Sequence, residues 1–255
     1  VERISGVLAD ELISWDTVDA VTLTESAEHD PTDPYFFVSM DVFYRESVPD
    51  VNERRKCFPD AAMFESSPGQ DKDRFLVESL PVRLEYKQIE EVEEIINKKE
   101  QFIWALNKTG TFLFYRIEVG KILRQKSEWL DTVKEDLKEF PESFWNAFIL
   151  SLRATMEHHL SDLGAAAFRG DKFFFLISSA GFIKSACSVV FAANHRFEPS
   201  SRLISSKVLE LPELPESFGA RLESFLRERL RRYFYSNSPP FDFPLLRGRR
   251  GGCLV

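Results

Sequence analysis

The stretch that decides the fold covers residues 18–44, VDAVTLTESAEHDPTDPYFFVSMDVFY. Two strand-like runs flank a polar loop, and the second run carries one carboxylate, Asp41. Residues two apart on a strand share a face, and two carboxylates at that spacing can share a metal pair. Ser39 stands where the second carboxylate would be, and a neutral hydroxyl is a weak Mg²⁺ ligand. The stretch predicts either a weakened metal site or an ordinary aspartate at a strand end.

The order of elements around this stretch resembles the start of the nucleotidyltransferase superfamily. A helix is predicted over 3–15 and a strand over 18–23, followed by a loop with Glu25 and Ser26 and the strand with Asp41. The family has Gly-Ser in the loop and Asp-x-Asp on the strand, so this chain departs at both places. The resemblance implies that Ser26 contacts phosphate, while the charge of Glu25 opposes that contact.

In that family a third carboxylate comes from a later strand, and the alternating run 80–86 offers Glu85. In an active relative this group accepts the proton of the attacking hydroxyl while metal ions neutralise the phosphate. The resemblance therefore makes Asp41 and Glu85 candidate catalytic residues and candidate Mg²⁺ ligands. The alternative is that Glu85 is a solvated strand residue whose ion-pair neighbour is Arg83.

The rest of the first domain is predicted from periodicity and turn signals. The polar connection 66–69 leads into the strand with Glu85, and apolar residues at helical spacing predict a helix over 89–100. Residues 110–117 and 122–124 are predicted to be two short strands. This hairpin resembles the one that closes the nucleotide-binding domain of the family.

From Leu130 onward the apolar pattern is helical. It predicts a long amphipathic helix from Phe144 toward Leu163, a second helix over 171–194 and a last helix over 216–233. Residues 191–202, FAANHRFEPSSR, resemble a segment of the helical domains attached to small-molecule nucleotidyltransferases. The resemblance implies that Asn194 and Arg202 lie at the triphosphate, with the guanidinium pairing to phosphate oxygens. The alternatives are that Asn194 caps the helix and Arg202 is a surface charge.

Composition supports an ordinary soluble protein, and the resemblance implies an α+β fold in two parts. The chain has 255 residues, 44% of them hydrophobic, and 24 phenylalanines, enough for one large core or two modest ones. We predict a nucleotidyltransferase-like mixed-sheet domain over 1–126, a helical bundle over 127–236 and a flexible basic tail over 237–255. The net charge of −8 argues against nucleic acid as a partner, because phosphate contacts need clustered Lys and Arg.

Three cysteines without paired spacing argue against disulfides and a structural zinc site, so a reducing, cytoplasmic setting is predicted. The apolar stretches are interpreted as too short or too interrupted by charge to span a membrane, and no membrane partner is expected. His158 and Asp162 share a helix face at a metal-compatible spacing, but two ligands do not make a site.

The leading hypothesis is a nucleotidyltransferase-fold protein with a decayed catalytic site, which retains a nucleotide or another anionic ligand between its domains. One alternative is Mg²⁺-dependent transfer of a nucleoside monophosphate to a hydroxyl of a small molecule, with Asp41, Glu85 and Arg202 acting on the nucleoside triphosphate. Another is a non-enzymatic interaction module that forms a homodimer through its acidic N-terminal and basic C-terminal faces.

Overall fold

The computed structural model describes residues 1–24 and 35–235, except for the side chains of 228–235. These residues form two compact units. The first comprises residues 1–99 and 113–140, and the second comprises 100–112 together with the chain from 141 onward. The predicted phosphate contact Ser26, its neighbour Glu25 and the predicted basic tail all lie outside the described residues.

The first unit is built on one six-stranded mixed sheet. Its strands are β1 (Val18–Leu23), β2 (Val38–Tyr44), β3 (Ala62–Ser66), β4 (Lys72–Val77), β5 (Leu80–Gln88) and β6 (Lys121–Gln125). Their spatial order is β3-β4-β5-β2-β1-β6. Strands β2 and β5 are parallel, and every other neighbouring pair is antiparallel. The predicted α+β class, a mixed sheet followed by helices, is confirmed.

One face of this sheet is apolar and carries the core. The helix α1 (Glu2–Ile13) presents Ile4, Leu8 and Leu12 at helical spacing, and these side chains belong to one buried cluster with the alternate residues of the strands. From the three central strands the cluster takes Val21, Leu23, Val38, Met40, Val42, Val82, Leu84 and Tyr86. The residues between them point to the opposite face, so the period of two along each strand divides an apolar face from a polar one.

The region between β2 and β5 contains three elements that the sequence analysis did not predict. The helix α2 (Val51–Cys57) begins at Asp50, whose carboxylate accepts hydrogen bonds from the N–H groups of Asn52 and Glu53. Strands β3 and β4 follow as a hairpin. The polar connection 66–69 is the turn of that hairpin, so it leads into β4 and not directly into the strand with Glu85.

A buried guanidinium connects α2 to this hairpin. Arg54 donates through Nε and Nη2 to the carboxylate of Asp73 (2.8 and 3.1 Å) and through Nη1 to the carbonyl of Pro49. Tyr86 donates its hydroxyl to the same carboxylate at 2.7 Å. Burial raises the pKa of Tyr86 well above its ordinary value, and the charge of Asp73 acts in the same direction.

The prediction of a strand at 110–117 is wrong. Two helices, α4 (Ile103–Thr109) and α5 (Phe112–Val119), occupy this part of the chain, with Gly110 between them at a φ of 78°. Helix α5 buries four successive residues, Phe114 to Ile117, so its sequence shows no one-sided helical period. A short apolar run that is buried on every side cannot be assigned to strand or helix from periodicity. The predicted hairpin is therefore absent, whereas the strand at 122–124 is confirmed within β6.

With one exception, the remaining helices overlap segments predicted to be helical; the exception is the short helix over 204–207, which was not predicted. They are α3 (Ile89–Asn97), α6 (Trp129–Lys138), α7 (Glu142–Arg169), α8 (Lys172–Ala193), α9 (Ile204–Lys207) and α10 (Phe218–Tyr235). In the second unit, Phe191 and Cys187 of α8 share a core cluster with Phe218 and Leu222 of α10. Asn107 of α4 donates to Ser151 and Thr155 of α7.

The division between the units differs from the predicted boundary after residue 126. Helix α6 belongs to the first unit, because Trp129 packs on Phe43 of β2 and donates its indole N–H to Glu93 of α3 at 2.8 Å. Residues 100–112, predicted within the first domain, belong to the second unit. The contacts of individual side chains decide to which unit each segment belongs. A helical period in the sequence does not indicate the unit.

Helix α8 bears on the prediction about membranes. In the described part of the chain it is the one helix long and apolar enough to cross a membrane, with a mean hydropathy of 1.7 in its most apolar window. Lys184 interrupts its apolar run, which agrees with the prediction that such stretches are too short or interrupted by charge. The core helix of a soluble protein meets the same criterion, and 44% of that window is buried, so length and composition do not assign α8 to a membrane.

We expect Arg54→Met to lower the free energy of unfolding by about 3–5 kcal/mol, because it leaves Asp73 buried without its cation. The matched control is Arg55→Met on the exposed side of the same helix, for which a change within about 0.5 kcal/mol is expected. Urea unfolding of the three proteins checks this. Equal losses for both variants would contradict a specific role of the buried guanidinium.

Candidate functional site on the polar face of the sheet

The polar face brings together the two predicted catalytic carboxylates. Asp41 of β2 and Glu85 of β5 are register partners in the parallel pair, and Thr22 of β1 is the antiparallel partner of Asp41. Lys72 of β4 lies on the other side of Glu85. Register partners project to the same face, so these four side chains form one row across the sheet. Two carboxylates that are 44 positions apart in sequence are thereby adjacent.

A guanidinium lies between the residues of the Ser39-x-Asp41 pair. Arg116 of α5 donates through Nε to Asp41 Oδ2 at 2.7 Å and through Nη2 to Asp41 Oδ1 at 2.6 Å. The same Nη2 is 3.1 Å from Ser39 Oγ. Asp41 and Arg116 are both buried. Their contact is bidentate, which is the strong form of an arginine–carboxylate interaction.

Glu85 is surrounded by three cations. Lys87 Nζ is 3.1 Å from both Glu85 Oε2 and Asp41 Oδ1, Arg83 Nη2 is 2.7 Å from Glu85 Oε1, and Arg116 Nη1 is 3.6 Å from it. The Arg83 ion pair is close, but it lacks hydrogen-bond alignment at Oε1. The alternative reading of Glu85 as the ion-pair neighbour of Arg83 thus matches a contact in the structure.

These charges set the protonation state of Glu85. Burial raises the pKa of a carboxyl group, but the charges of Lys87, Arg116 and Arg83 outweigh burial and bring the pKa of Glu85 down from 4.5 to about 2. The carboxylate is therefore ionised at neutral pH and is a weak base. A general base works best with a pKa near the operating pH, so this environment is unfavourable for proton abstraction.

Helix α5 is held in place behind Arg116 by two local features. Gly120 follows the helix, and a Cβ there would lie 2.7 Å from the carbonyl oxygen of Arg116 and 3.3 Å from the Thr22 side chain. Lys134 of α6 donates to the carbonyls of Glu118 and Gly120 at 3.4 and 2.6 Å, where the negative end of the helix dipole favours a cation. Both features bring the helix close enough to the sheet for Arg116 to reach Asp41.

The β4–β5 side of the polar face is rich in cations. Arg74 is the register partner of Arg83, and Lys72 is the register partner of Glu85. Both β4 cations therefore project to the same face as the cations of β5. Three buried polar atoms on the polar face have no hydrogen-bond partner in the described chain: Arg83 Nε and Glu85 Oε1 of β5, and Thr22 Oγ1 of β1. The first and the last of these can donate a hydrogen bond. A charged ligand with acceptor oxygens is the kind of group that such donors pair with.

The other predicted contacts, Asn194 and Arg202, belong to the second unit. Asn194 donates through Nδ2 to the carbonyls of Val190 and Glu213, and its Oδ1 accepts from the N–H of Glu213, each at 2.8 Å. This is the alternative reading, in which Asn194 caps the helix. Arg202 is exposed in a turn after Pro199. His158 pairs with Asp162 at 3.4 Å.

The segment before Arg202 is anchored at Glu198, a buried residue whose backbone N–H is paired. The N–H of Glu198 donates to Thr111 Oγ1 at 2.8 Å, and burial raises the pKa of Glu198. Trp145 of α7 stacks on His195 and packs against Phe197. These contacts fix residues 194–202 within the second unit.

Sequence reasoning missed Arg116 and Lys87. Arg116 lies alone in the apolar run FLFYRI, and an arginine is almost never fully buried unless it is paired, so that run was a signal for a buried acidic partner. Lys87 completes the alternation Arg83-x-Glu85-x-Lys87, which places three charges on one strand face. In the described residues no group of three or more His, Cys, Asp or Glu is arranged to hold a metal ion.

Comparison with known proteins gives two findings. Residues 104–202 match a family described as "Domain of unknown function (DUF4037)". In structure, the chain is similar to a nucleotidyltransferase-like protein from Exiguobacterium sibiricum 255-15, with 14% identity, a TM-score of 0.44, and coverage of 97% of this chain and 84% of that chain. No curated protein matches the sequence.

We expect Arg116→Met to lower the free energy of unfolding by about 3 kcal/mol, because Asp41 then remains buried with only Lys87 beside it. The double variant Asp41→Asn/Arg116→Met should lose less than the sum of the single variants, since the pair is removed together. Arg124→Met, which breaks an exposed pair with Asp10, is the control and should cost under about 1 kcal/mol. Additive losses in urea unfolding would contradict direct coupling.

We expect the stabilising effect of Glu85 to depend on pH. Its pKa is lowered from 4.5 to about 2, so the contribution is present above pH 4.5 and is lost as the pH falls through 2. Glu85→Gln should therefore lower the unfolding free energy by about 3 kcal/mol at neutral pH, with a difference that shrinks between pH 4.5 and 2. Glu90→Gln, in an exposed pair with Arg45, should show no such window. A pH-independent difference for Glu85→Gln would refute this explanation.

Proposed function

We propose that this protein has a nucleotidyltransferase-like fold that has lost transfer chemistry and retains the binding of an anionic ligand of the nucleoside triphosphate class. The observation that carries the proposal is the position of the Arg116 guanidinium between Ser39 Oγ and Asp41. In the related active enzymes implied by the sequence pattern, an acidic pair at these two positions holds the metal. Here a side-chain cation compensates the one remaining charge.

The residues present do not fit a two-metal Mg²⁺ site. Such a site needs several oxygen ligands that are free to bind the ions, whereas both oxygens of Asp41 accept from Arg116 and one of them also pairs with Lys87. The cations around Glu85 hold its pKa low, which makes it a weak base and argues against the second requirement of transfer. We therefore derive no reaction step through Mg²⁺.

The cation excess supports binding without catalysis. Arg83 and Lys87 of β5 and Lys72 and Arg74 of β4 share the polar face with Glu85. Because guanidinium and ammonium groups pair with phosphate oxygens through charge-assisted hydrogen bonds, this strand pair suits a polyphosphate that arrives without its metal. Arg83, whose buried Nε lacks a partner, is the residue we assign to the first phosphate contact.

One observation favours the active alternative, a Mg²⁺-dependent transfer of a nucleoside monophosphate to a small-molecule hydroxyl. Asp41 and Glu85 lie side by side in register, as a metal-binding pair would. The two functions differ in their need for metal, and this difference makes them separable by experiment. The free thiols Cys57 and Cys187 fit the reducing, cytoplasmic setting that we assign to either function.

We expect nucleoside triphosphates to stabilise the protein equally in Mg²⁺ and in EDTA, because side-chain cations take the place of the metal. At about 100 times the dissociation constant the gain is about 2.7 kcal/mol, a rise in melting temperature of roughly 5–10 °C. Arg83→Ala should reduce this shift. Arg124→Ala, on the same sheet but paired with Asp10 of α1, should not. Thermal unfolding with each nucleotide is the measurement.

Two outcomes would overturn parts of this proposal. A Mg²⁺-dependent shift that Asp41→Ala abolishes would support the active transferase, whereas no shift with any nucleotide would remove nucleoside triphosphates as the ligand. Ser39→Asp/Arg116→Ser restores an acidic pair without the intervening cation and should gain stabilisation by Mn²⁺ that the natural chain lacks. If this variant folds and gains none, the loss of metal binding is not caused by these two positions.

A further inference from the structure

The turn between α7 and α8 carries a cluster of exposed apolar side chains. Phe168 is 93% exposed at the end of α7, and Phe173, Leu176 and Ile177 at the start of α8 are 73%, 55% and 51% exposed. We call these four residues the apolar tip. Residues three and four apart share a helix face, so the three α8 members form one continuous stripe.

Local sequence explains why these side chains lie at one end of the hairpin. Helix α7 ends at Gly170, in the left-handed conformation with a φ of 67°, and α8 begins immediately after Asp171. The Asp171 carboxylate accepts from the N–H of Phe174 at 3.0 Å. This two-residue connection holds Phe168 and Phe173 on either side of one tight turn.

The charges around the apolar tip are mostly positive. Arg169 and Lys172 are exposed beside Phe168 and Phe173. The one carboxylate in the turn, Asp171, is committed to the N-terminus of α8, where the helix dipole favours a negative charge. Exposed aromatic rings with flanking cations match the chemistry of an anionic lipid surface, where rings enter the headgroup region and cations meet phosphates.

The size of the apolar tip also favours lipid over a second copy of the chain. With about 200 Å² for a whole aromatic side chain, the two phenylalanines expose roughly 300 Å² and the four residues together on the order of 500 Å². A stable protein interface needs about 800 Å² from each partner. Shallow insertion into a membrane requires no such area, because each apolar group gains separately from leaving water.

The distribution of burial along α8 separates insertion from spanning. Phe182, Cys187, Val189, Val190 and Phe191, in its middle and C-terminal part, are buried in the second unit. The strongly exposed large apolar residues of the helix lie in its first two turns. A spanning helix needs about 20 residues facing lipid, whereas an interfacial segment needs only one exposed end.

We propose that the α7–α8 turn is an interfacial membrane anchor, which inserts Phe168, Phe173, Leu176 and Ile177 into an anionic lipid surface while Arg169 and Lys172 contact the headgroup phosphates. The sequence analysis expected no membrane partner, because it considered only spanning segments. The anchor is independent of the ligand site on the polar face of the first unit.

We expect the full-length protein to co-sediment with phosphatidylcholine vesicles that contain phosphatidylserine and to bind pure phosphatidylcholine vesicles less. Phe173→Ser should weaken binding about tenfold or more, because most of a ring is lost from the inserted surface. Lys172→Ala should weaken it about fivefold and reduce its salt sensitivity.

The matched control is Leu150→Ser, at a residue that is 70% exposed on the same helix as Phe168 but roughly 27 Å away along it. This variant should bind vesicles like the natural chain. Circular dichroism and the nucleotide-dependent melting shift should be unchanged in all three variants, so a failure of the anchor and a failure of the ligand site are distinguishable.

Three results would overturn the anchor. One is no binding of the folded natural chain to either vesicle. Another is binding that Phe173→Ser leaves unchanged. The third is a dimer that light scattering detects without lipid and that Phe173→Ser dissociates, together with no binding to vesicles. The apolar tip would then be a contact between two copies of this chain.

Discussion

The negative charge of Asp41 in the middle of the sheet is the constraint on which much of the first unit depends. A carboxylate without water costs several kcal/mol unless a cation with good geometry compensates it. Arg116 supplies that cation with two short hydrogen bonds. The pair holds α5 on the polar face of the sheet. Arg116 of α5 and Trp129 of α6 thus both attach the segment 113–140 to the sheet unit.

Strand β5 connects two buried charge systems on opposite faces of the sheet. Tyr86 points toward the apolar face and joins the Arg54–Asp73 pair, while Glu85 points toward the polar face and joins the cations around Asp41. In the first system every donor has a partner within the protein, which is typical of a structural network. In the second, cations outnumber carboxylates and Arg83 Nε lacks a partner, which is why we assign ligand binding to that face.

Under the function that we propose, the Arg116 guanidinium stands where the implied active relatives hold a metal, and this difference changes what the site can do. A divalent ion can bind substrate oxygens and exchange ligands during a reaction. The Arg116 guanidinium instead donates to Asp41 and Ser39 and lies beside Glu85. It preserves the folded geometry of the polar face. Under the proposed function, it takes the place of an ion that would bind the transferring phosphate directly. The same contact would then preserve the fold and account for the loss of transfer chemistry.

The sequence alone determined the elements with clear local signals, which are an apolar period, a long apolar run or residues that end a helix. The bounds of β1, the strands with Asp41 and Glu85, and helices α7, α8 and α10 follow from alternation, helical spacing and end signals, since these depend on neighbours within a few residues. Only the tertiary structure decided the rest. One example is the pairing of Asp41 with Arg116, 75 positions later. Another is the exposure of Phe168 and Phe173, whereas Phe175 is buried. Both depend on which distant surfaces meet. Local periodicity carries no information about those partners. The same apolar run can be a buried helix or a buried strand, and only its tertiary neighbours decide between the two.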